Sequence, residues 1–259
     1  MKDTCVFVSS SDNTFDVFNQ VSSSIVKNWP IDNLDIYVGL NARVADKPFC
    51  TISAPISGWR TELEYQISRL PEKYQFIILV LDDFFFFDRV DYVVLARLVD
   101  EMKYRDIDYL RLKSLERSML GNIVLYFRRV LSGNSDLVKL GRNEPYFASL
   151  QVAVWKRAYL SKLLSQTGSI WDFEHTVEVG AEHYATAHNY LRYEHLVEKG
   201  KWFRHAPDVL ENANKEYFRE RGFDNSQLKH SKLFNKVKFM IFGYVFFRIR
   251  RAIMRCTCR

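Results

Sequence analysis

Six apolar residues, Phe76 to Leu81 (FIILVL), run directly into two adjacent carboxylates, Asp82 and Asp83. An unbroken apolar run of this length, rich in Ile, Leu and Val, is typical of a strand buried on both faces. Two acids at the end of such a strand repel each other and require water, a cation or hydrogen-bond donors. The feature therefore predicts a central strand that delivers two carboxylates to one edge of a sheet.

Strand and helix patterns alternate on the N-terminal side of this run. Residues 4–12 and 34–41 have the pattern of strands that end in polar turns, and a loop is predicted between Pro48 and Pro55. Residues 14–30 and 59–71 have apolar side chains at helical spacing, and each stretch ends at a proline. Strand, helix, strand, helix, strand is the order typical of a parallel sheet covered by helices.

Four polar residues fall at the predicted strand ends: Asp12, Asn41, Asp82 and Asp83. Ligands of parallel sheets bind outside the carboxyl ends of the strands. We therefore expect these four side chains to gather on one rim of the sheet.

The patterns after Asp83 continue the α/β theme. A helix is predicted over residues 90–106, a strand over 107–112, and a strand leading into a helix over 146–166. Residues 169–185 are predicted to form a loop with a helix start near Asp172, and a hairpin is predicted near Gly200. The fold class predicted is α/β, with residues 1–228 as one domain and residues 229–259 as a separate basic segment.

Charge is distributed unevenly along the chain. The formal net charge is +6, yet residues 229–259 alone contain nine Lys or Arg and no acid, which leaves −3 for residues 1–228. A nucleic-acid-binding domain would carry its positive charge as a patch on the fold, so no nucleic-acid partner is expected. The four cysteines and six histidines show no metal-binding spacing, which is consistent with a reduced, cytoplasmic setting.

The basic segment, residues 229–259, alternates Lys and Arg with large apolar side chains. Its apolar centre, FMIFGYVFF, has nine residues, whereas a membrane-spanning helix needs about 20. An amphipathic helix lying in the membrane interface fits this pattern, with aromatic side chains towards the acyl chains and basic ones at anionic headgroups. The alternative is a terminal helix docked on the body of the protein.

Several segments, in this order and spacing, resemble a group of bacterial glycosyltransferases that build surface polysaccharides such as O-antigen, capsule and lipooligosaccharide. The segments are GWRTELEYQISRLPEKYQFIILVLDDFFFFDRVD, PYFASLQVAVWKRAYLSKLL, SIWDFE and VEKGKW. The resemblance covers residues 4–207 and implies a GT-A-like, Rossmann-type sandwich with a central, mostly parallel sheet. This chain has adjacent acids where the usual motif is Asp-X-Asp.

The resemblance implies a donor site at the strand ends. Asp82 and Asp83 would contact Mg²⁺ or Mn²⁺ and the diphosphate of a nucleotide sugar. Ser9 and Asp12 would face the base and ribose. Asn41 would do the same or contact phosphate, and Arg60 would pair with the diphosphate as a fixed cation.

The resemblance also implies an acceptor side. Glu174 is the first choice for the base that removes the acceptor hydroxyl proton, and Asp172 is the second. Trp171 would stack on a sugar face, and Gln151 would hydrogen-bond the donor sugar or the acceptor. Lys201 would meet a phosphate group.

Ordinary structural roles remain open for the same residues. Asp82 or Asp83 can cap a turn or pair with an arginine, and turns favour Asp. Asp172 can cap a helix. Arg60 can form a surface ion pair, and Lys201 can lie on a solvated hairpin.

The function expected from this resemblance is that of an inverting hexosyltransferase. It would move sugar from a nucleotide-diphosphate donor, a UDP-sugar, to a lipid-linked glycan in lipopolysaccharide or related synthesis. It would lie on the cytoplasmic face of the inner membrane, attached through residues 229–259. A metal-dependent hydrolase of a phosphate or glycoside, and a non-catalytic membrane scaffold, are the alternatives.

Overall fold

The computed structural model describes residues 1–114, 136–141, 147–210 and 215–223, apart from positions 167, 177, 179 and 199. The chain divides into two compact units, Met1–His195 and Leu196–Arg259. The predicted membrane segment, residues 229–259, and the predicted boundary before it lie outside the described residues. No helix in the described part is long and apolar enough to cross a bilayer.

The described residues of the first unit form ten strands, eight of which make one sheet. In that sheet the order is β3-β2-β1-β4-β8-β6-β9-β7, and β5 pairs with β10 in a separate ribbon. The strands are β1 (Thr4–Ser9), β2 (Ile36–Leu40), β3 (Cys50–Ser53), β4 (Phe76–Leu81), β5 (Phe84–Phe86), β6 (Tyr109–Arg111), β7 (Leu137–Lys139), β8 (Ala153–Lys156), β9 (His183–Thr186) and β10 (Tyr193–His195).

The sheet is mostly parallel. Strands β3, β2, β1 and β4 run parallel to one another, and β6 runs parallel to β9. Strand β8 lies between β4 and β6 and is antiparallel to both, and β7 is antiparallel to β9. The predicted α/β class and central, mostly parallel sheet are confirmed.

Five helices cover the sheet in the described part of this unit. They are α1 (Phe15–Asn28), α2 (Trp59–Ser68), α3 (Tyr92–Tyr104), α4 (Arg157–Leu164) and α5 (Ile170–His175). The first four coincide with predicted helices, and α1 and α2 end before the prolines that predicted their ends. Helix α3 begins after Asp91, whose Oδ1 accepts the backbone N–H groups of Val93 and Val94 at 2.9 and 3.1 Å.

Strand β4 is buried on both faces, as its apolar sequence predicts. Ile78 and Val80 belong to one apolar core, whereas Ile77 and Leu79 belong to another. The first core includes side chains of α1 and α3, and the second includes side chains of α2 and α4. Because successive residues of a strand point to opposite faces, the run FIILVL supplies both cores at once.

Two predictions of loop structure were wrong. The segment between Pro48 and Pro55 contains β3, a sheet-edge strand, and the predicted loop over residues 169–185 runs into β9. Strand β3 (CTIS) and strand β9 (HYAT) are short and lack an apolar run. Both form because the neighbouring strand offers a ladder of backbone hydrogen bonds, which the local sequence does not reveal.

The second unit begins with the predicted hairpin. Strands β11 (Val197–Glu198) and β12 (Lys201–Trp202) pair in antiparallel fashion. Gly200 lies in the turn with φ of +77°, a conformation that glycine adopts at no steric cost. Helices α6 (Ala206–Val209) and α7 (Lys215–Arg221) follow, and Phe218 packs edge-on against the buried Trp202 at 4.8 Å between ring centroids.

Candidate active site

The registers of the central strands bring the ends of β1, β2, β4 and β6 to one edge of the sheet. Ser9 pairs with Gly39 on one side and with Leu81 on the other. Ala153, at the start of the antiparallel β8, pairs with both Leu79 and Arg111. The rim therefore contains the residues after β1, β2 and β4, the end of β6, and the segment that enters β8.

Asp82 and Asp83 form a two-residue turn between β4 and β5, and both side chains are half-buried. Ser10 Oγ donates a hydrogen bond to Asp82 Oδ2 at 2.7 Å, and the backbone N–H of Asp82 donates to the carbonyl oxygen of Ser9 at 3.2 Å. The end of β1 thus holds one acid of the pair, so Asp82 has an ordered position. The two acids therefore form a turn, as one of the structural alternatives expected. This turn also leaves them at the strand end, where a ligand-binding role is expected.

The acid pair fits one side of a divalent cation. In the described ranges there is no group of three or more His, Cys, Asp or Glu that would surround a metal ion. Mg²⁺ is often held by one or two carboxylates together with substrate phosphates and water. The donor set of Asp82 and Asp83 therefore suits Mg²⁺ or Mn²⁺ carried by a diphosphate better than a metal enclosed by protein alone.

Asp12 and Asn41 lock the loops after β1 and β2 together. The Asp12 carboxylate accepts backbone N–H groups of residues 41–43 at 2.9 to 3.3 Å, and Asn41 Oδ1 accepts the Asp12 backbone N–H at 3.1 Å. Desolvation raises the pKa of Asp12, but these hydrogen bonds outweigh it and leave the pKa below its ordinary value. Asn41 Nδ2 donates to Glu62 Oε2 at 3.0 Å. Both side chains therefore shape the rim through bonds within the protein.

Ser9 lies beneath this rim. Its side chain is buried, and its Oγ accepts the indole N–H of Trp59 at 3.1 Å. Trp59 in turn packs edge-on against Phe173, with 5.5 Å between ring centroids. Trp59 consequently belongs to the packing that joins α2 to α5.

Arg60 occupies the same junction between α2 and α5. It is only 6% exposed, its guanidinium lies 5.4 Å from the centre of the Phe173 ring, and Nη1 donates to the Gln166 carbonyl at 2.7 Å. Burial lowers the pKa of Arg60, whereas the charge of Asp172 acts to raise it. The expected alternative of a surface ion pair does not describe this side chain, because the guanidinium is covered.

Helix α5 begins with a capping box rather than with an Asp172 cap. Ser169 is the N-cap and accepts the Asp172 backbone N–H at 3.3 Å, while Asp172 Oδ2 accepts the Ser169 backbone N–H at 2.9 Å. The suggestion that Asp172 itself caps the helix was therefore wrong. Asp172 is exposed, and the neighbouring Trp171 is 58% exposed.

Glu174 differs from Asp172 in burial. It is half-buried, and its Oε1 accepts the backbone N–H of Leu150 at 2.9 Å, in the segment that enters β8. Burial raises the pKa of Glu174 above its ordinary value, although the Leu150 hydrogen bond and the charge of Arg111 both act to lower it. The positive charge of Arg111, the last residue of β6, therefore acts on the Glu174 carboxylate.

Three further rim residues were not identified from the sequence. Arg111 is buried at the end of β6, where its Nε donates to the Tyr109 hydroxyl at 3.3 Å. Lys113 lies 5.3 Å from the centre of the Tyr193 ring, and the Tyr193 hydroxyl bonds Gln151 Oε1 at 2.9 Å. The sequence signal for this cluster was limited to the segment RLK, residues 111–113, at the end of the strand predicted over residues 107–112, and Tyr193 carried no signal.

The predicted site residues do not all fall in one compact unit. Ser9, Asp12, Asn41, Asp82, Asp83 and Gln151 lie at the rim of the first unit. Helix α5 in the same unit carries Trp171, Asp172 and Glu174. Lys201 is exposed in the β11–β12 hairpin of the second unit.

The fold and the rim together define a mixed α/β protein with a candidate active site at the carboxyl edge of its sheet. Glycosyltransferases are among the solved structures that are similar to it. One is S. aureus TarS 1-349 in complex with UDP-GlcNAc, at a TM-score of 0.48 and 10% identity over 85% of this chain and 64% of that chain. Another is the mannosyltransferase PcManGT from Pyrobaculum calidifontis in complex with GDP-Man and Mn²⁺, at a TM-score of 0.49 and 14% identity over 76% of this chain and 58% of that chain.

This chain spans less than two thirds of the length of these structures, and 36% of a longer TarS structure. No protein-family model and no curated protein sequence matches the chain. Structural similarity at such low sequence identity concerns the fold and assigns no activity to this chain. The proposal below therefore rests on the residues of the rim.

Proposed function

We propose that this protein is a GT-A-like glycosyltransferase that uses a nucleotide-diphosphate sugar. The observation that carries the proposal is that the Asp82–Asp83 turn and the backbone partner of Glu174 lie at the same end of two adjacent strands. The Asp82–Asp83 turn ends β4, and Glu174 is bonded to the segment that enters β8, the strand directly beside β4. Adjacent strands are about 4.8 Å apart, which supports assigning Asp82 and Asp83 to a donor side and Glu174 to an acceptor side of one site.

On the donor side, Asp82 and Asp83 would hold the diphosphate of a UDP-sugar through Mg²⁺ or Mn²⁺. A metal held by these two acids would supply positive charge that stabilises the diphosphate as the leaving group. Ser10 fixes the position of Asp82 through its 2.7 Å hydrogen bond. The interlocked loops of Asp12 and Asn41, above the buried Ser9, would form the surface on which the base and ribose rest.

Three cations, Arg60, Lys113 and Lys201, have different proposed roles. Arg60 was expected to pair with the diphosphate, and its buried contact with Phe173 favours a role in holding α5 in place. Lys113 is half-buried at the end of β6 and is better placed to approach a bound phosphate. Lys201 remains a proposed phosphate contact on the basis of its sequence motif alone.

On the acceptor side, Glu174 would act as the base. The half-buried Glu174 carboxylate, whose pKa is raised by burial, takes up a proton more readily than an exposed carboxylate, which is the property a general base requires. Glu174 would remove the acceptor hydroxyl proton while that oxygen bonds to the anomeric carbon and the bond to the diphosphate breaks, with inversion. Asp172 is the second candidate, although its carboxylate serves the capping box. The exposed Trp171 would stack on an acceptor sugar.

The biological setting is also part of the proposal. The resemblance supports a hexosyltransferase that extends a lipid-linked glycan in bacterial surface polysaccharide synthesis. The alternation of basic and aromatic residues over 229–259 supports attachment to anionic lipid at the cytoplasmic face of the inner membrane.

Calorimetry with the purified full chain tests the donor class. UDP-GlcNAc, UDP-glucose, GDP-mannose, UDP, GDP and inorganic diphosphate would each be titrated in the presence of Mn²⁺. Binding of at least one nucleotide sugar, more tightly than inorganic diphosphate, is the expected result. If no nucleotide or nucleotide sugar bound, the proposal would be overturned, and the scaffold and the hydrolase of a phosphate or glycoside would remain as alternatives. Steady conversion of a bound nucleotide sugar to free sugar, unaffected by any glycan acceptor, would instead identify a hydrolase.

A further inference from the structure

The Tyr193 hydroxyl lies between two groups of the segment that enters β8. It accepts the backbone N–H of Val152 at 3.1 Å and donates to Gln151 Oε1 at 2.9 Å. Tyr193 is only 6% exposed, and desolvation raises the pKa of its hydroxyl well above the ordinary value, so the hydroxyl keeps its proton. One hydroxyl therefore acts as acceptor to the backbone and donor to the side chain at the same time.

This arrangement determines which way the Gln151 amide faces. The backbone N–H of Val152 can only donate, so the Tyr193 oxygen accepts there, and among the described residues Gln151 is the acceptor that the buried hydroxyl proton reaches. That proton can be accepted by the amide oxygen but not by the amide nitrogen, so Oε1 faces Tyr193. In the described structure Gln151 Nε2 makes no hydrogen bond to protein, and the half-buried side chain leaves this –NH₂ group for a ligand.

The strand that follows the acid pair, β5, packs against the Tyr193 ring. Phe84, the residue directly after Asp83, packs against the ring at 4.9 Å between centroids, and Phe86 packs at 5.5 Å. Phe86 is also the partner of Tyr193 in the β5–β10 ribbon. The same tyrosine thus contacts the strand that leaves the acid pair and fixes the amide that faces the rim.

We propose that Tyr193 is a positioning residue that presents the Gln151 amide –NH₂ to an oxygen of the transferred sugar, so that the two residues select the donor sugar. The inference rests on the proposed function and deepens it. A preoriented amide donor favours a sugar with a hydroxyl or acetamido oxygen at that position and discriminates against an analogue that lacks the oxygen, because the donor would be left unpaired.

The test measures the dissociation constants of a nucleotide sugar and of its nucleotide diphosphate, with Mn²⁺, for the wild type and four variants. The nucleotide sugar is the one that the wild type binds most tightly among UDP-GlcNAc, UDP-glucose and GDP-mannose. The variants are Gln151→Met, Tyr193→Phe, the double variant, and Tyr104→Phe, a control at an exposed tyrosine on α3. The Phe substitution keeps the ring that packs against Phe84.

Gln151→Met is expected to weaken nucleotide-sugar binding about tenfold, the size of one hydrogen bond, and to leave nucleotide binding unchanged. Tyr193→Phe alone is expected to weaken nucleotide-sugar binding severalfold. In the Gln151→Met background it is expected to have no further effect, because the Tyr193 hydroxyl acts through Gln151. Equal losses for sugar and nucleotide, or additive losses in the double variant, would overturn the inference while the proposed function stands. Absence of all nucleotide binding by the wild type would overturn both.

Discussion

Ser10 and Asp82 are 72 positions apart in the sequence, and the Ser10 hydroxyl donates a 2.7 Å hydrogen bond to the Asp82 carboxylate. The bond joins the end of β1 to the end of β4, the two central parallel strands. Asp83 is the next residue of the same turn. The acid pair is therefore held by a second strand and does not depend on the turn alone for its position.

Substitution Ser10→Ala tests this support. Loss of the hydroxyl is expected to weaken Mn²⁺-dependent nucleotide-sugar binding severalfold, since a hydrogen bond to a charged group contributes about 1.5–3 kcal/mol and part of that is restored by water. Calorimetry would measure the affinity. The matched control is Ser23→Ala, an exposed serine of α1. Equal affinities for wild type and Ser10→Ala would show that Asp82 needs no such support.

Glu174→Gln tests the assignment of the base. Glutamine retains an oxygen for the Leu150 backbone N–H but cannot take up a proton, so transfer is expected to fall by about 10²–10⁴-fold while nucleotide-sugar binding persists. Transfer by the wild type is expected to decline as pH falls through the raised pKa of Glu174, because the protonated carboxyl is no longer a base. The readout is single-turnover transfer with a glycan acceptor.

Asp172→Asn serves as the comparison for that experiment. Its carboxylate completes the capping box of α5, so the substitution is expected to lower stability slightly and to preserve most of the transfer activity. Activity lost in Asp172→Asn but kept in Glu174→Gln would reverse the assignment and make Asp172 the base.

His183 gives the fold a specific dependence on pH. It is buried, with Nδ1 bonded to the Phe147 carbonyl at 2.9 Å and Nε2 bonded to the Tyr159 hydroxyl at 2.7 Å. Burial lowers the pKa of His183 to about 4, so the unfolded chain binds a proton near pH 6.5 that the folded chain does not. The free energy of unfolding is therefore expected to fall by about 1.4 kcal/mol per pH unit as pH drops from about 6.5 to about 4.

Urea denaturation at several pH values would measure that loss in the wild type, in His183→Asn, and in His188→Asn as the exposed-histidine control. The His183 variant is expected to lose this part of the pH dependence, and the control to keep it. Direct titration of the His183 ring by NMR gives the same answer where the variant is too unstable. A ring that titrates at its ordinary value would contradict the account.

Arg157 is expected to stabilise the end of α2. Its Nη2 donates to the carbonyl oxygens of Ile67 and Leu70 at 2.9 Å each, and Nη1 donates to that of Pro71 at 2.9 Å. Lysine cannot reproduce this forked set of donors, so Arg157→Lys is expected to lower the free energy of unfolding by about 1–3 kcal/mol. Chemical denaturation measures it, with Arg105→Lys as the surface control. Equal loss in both variants would mean that the fork adds nothing.

The sequence predicts the centre of this fold well because the centre is defined locally. The run FIILVL needs two buried faces, and the helices flanking it carry their own apolar spacing and stops, so β1, β2, β4 and α1 to α4 could be assigned. Strand β9 could not, because HYAT becomes a strand only through its pairing with β6 and β7.

The candidate site also divides into residues that the local sequence assigns and contacts that only tertiary packing creates. Polar residues directly after predicted strands could be assigned to the rim, because parallel strands end at a common edge. The burial of Arg60 against Phe173 depends on how α2 meets α5, and the contact of Tyr193 with Gln151 joins residues 42 positions apart. Such contacts follow from tertiary packing, and no pattern in the neighbouring sequence indicates them.

The central claim is that the acid pair binds a metal–diphosphate. Calorimetric titration of nucleotide sugars into the wild type and Asp83→Ala, each with Mn²⁺ and with a chelator, tests it most directly. Asp100→Ala, an exposed acid on α3, is the matched control. The account predicts Mn²⁺-dependent binding by the wild type and the control, and loss of that binding in Asp83→Ala. Equal binding by Asp83→Ala, or binding indifferent to Mn²⁺, would contradict it.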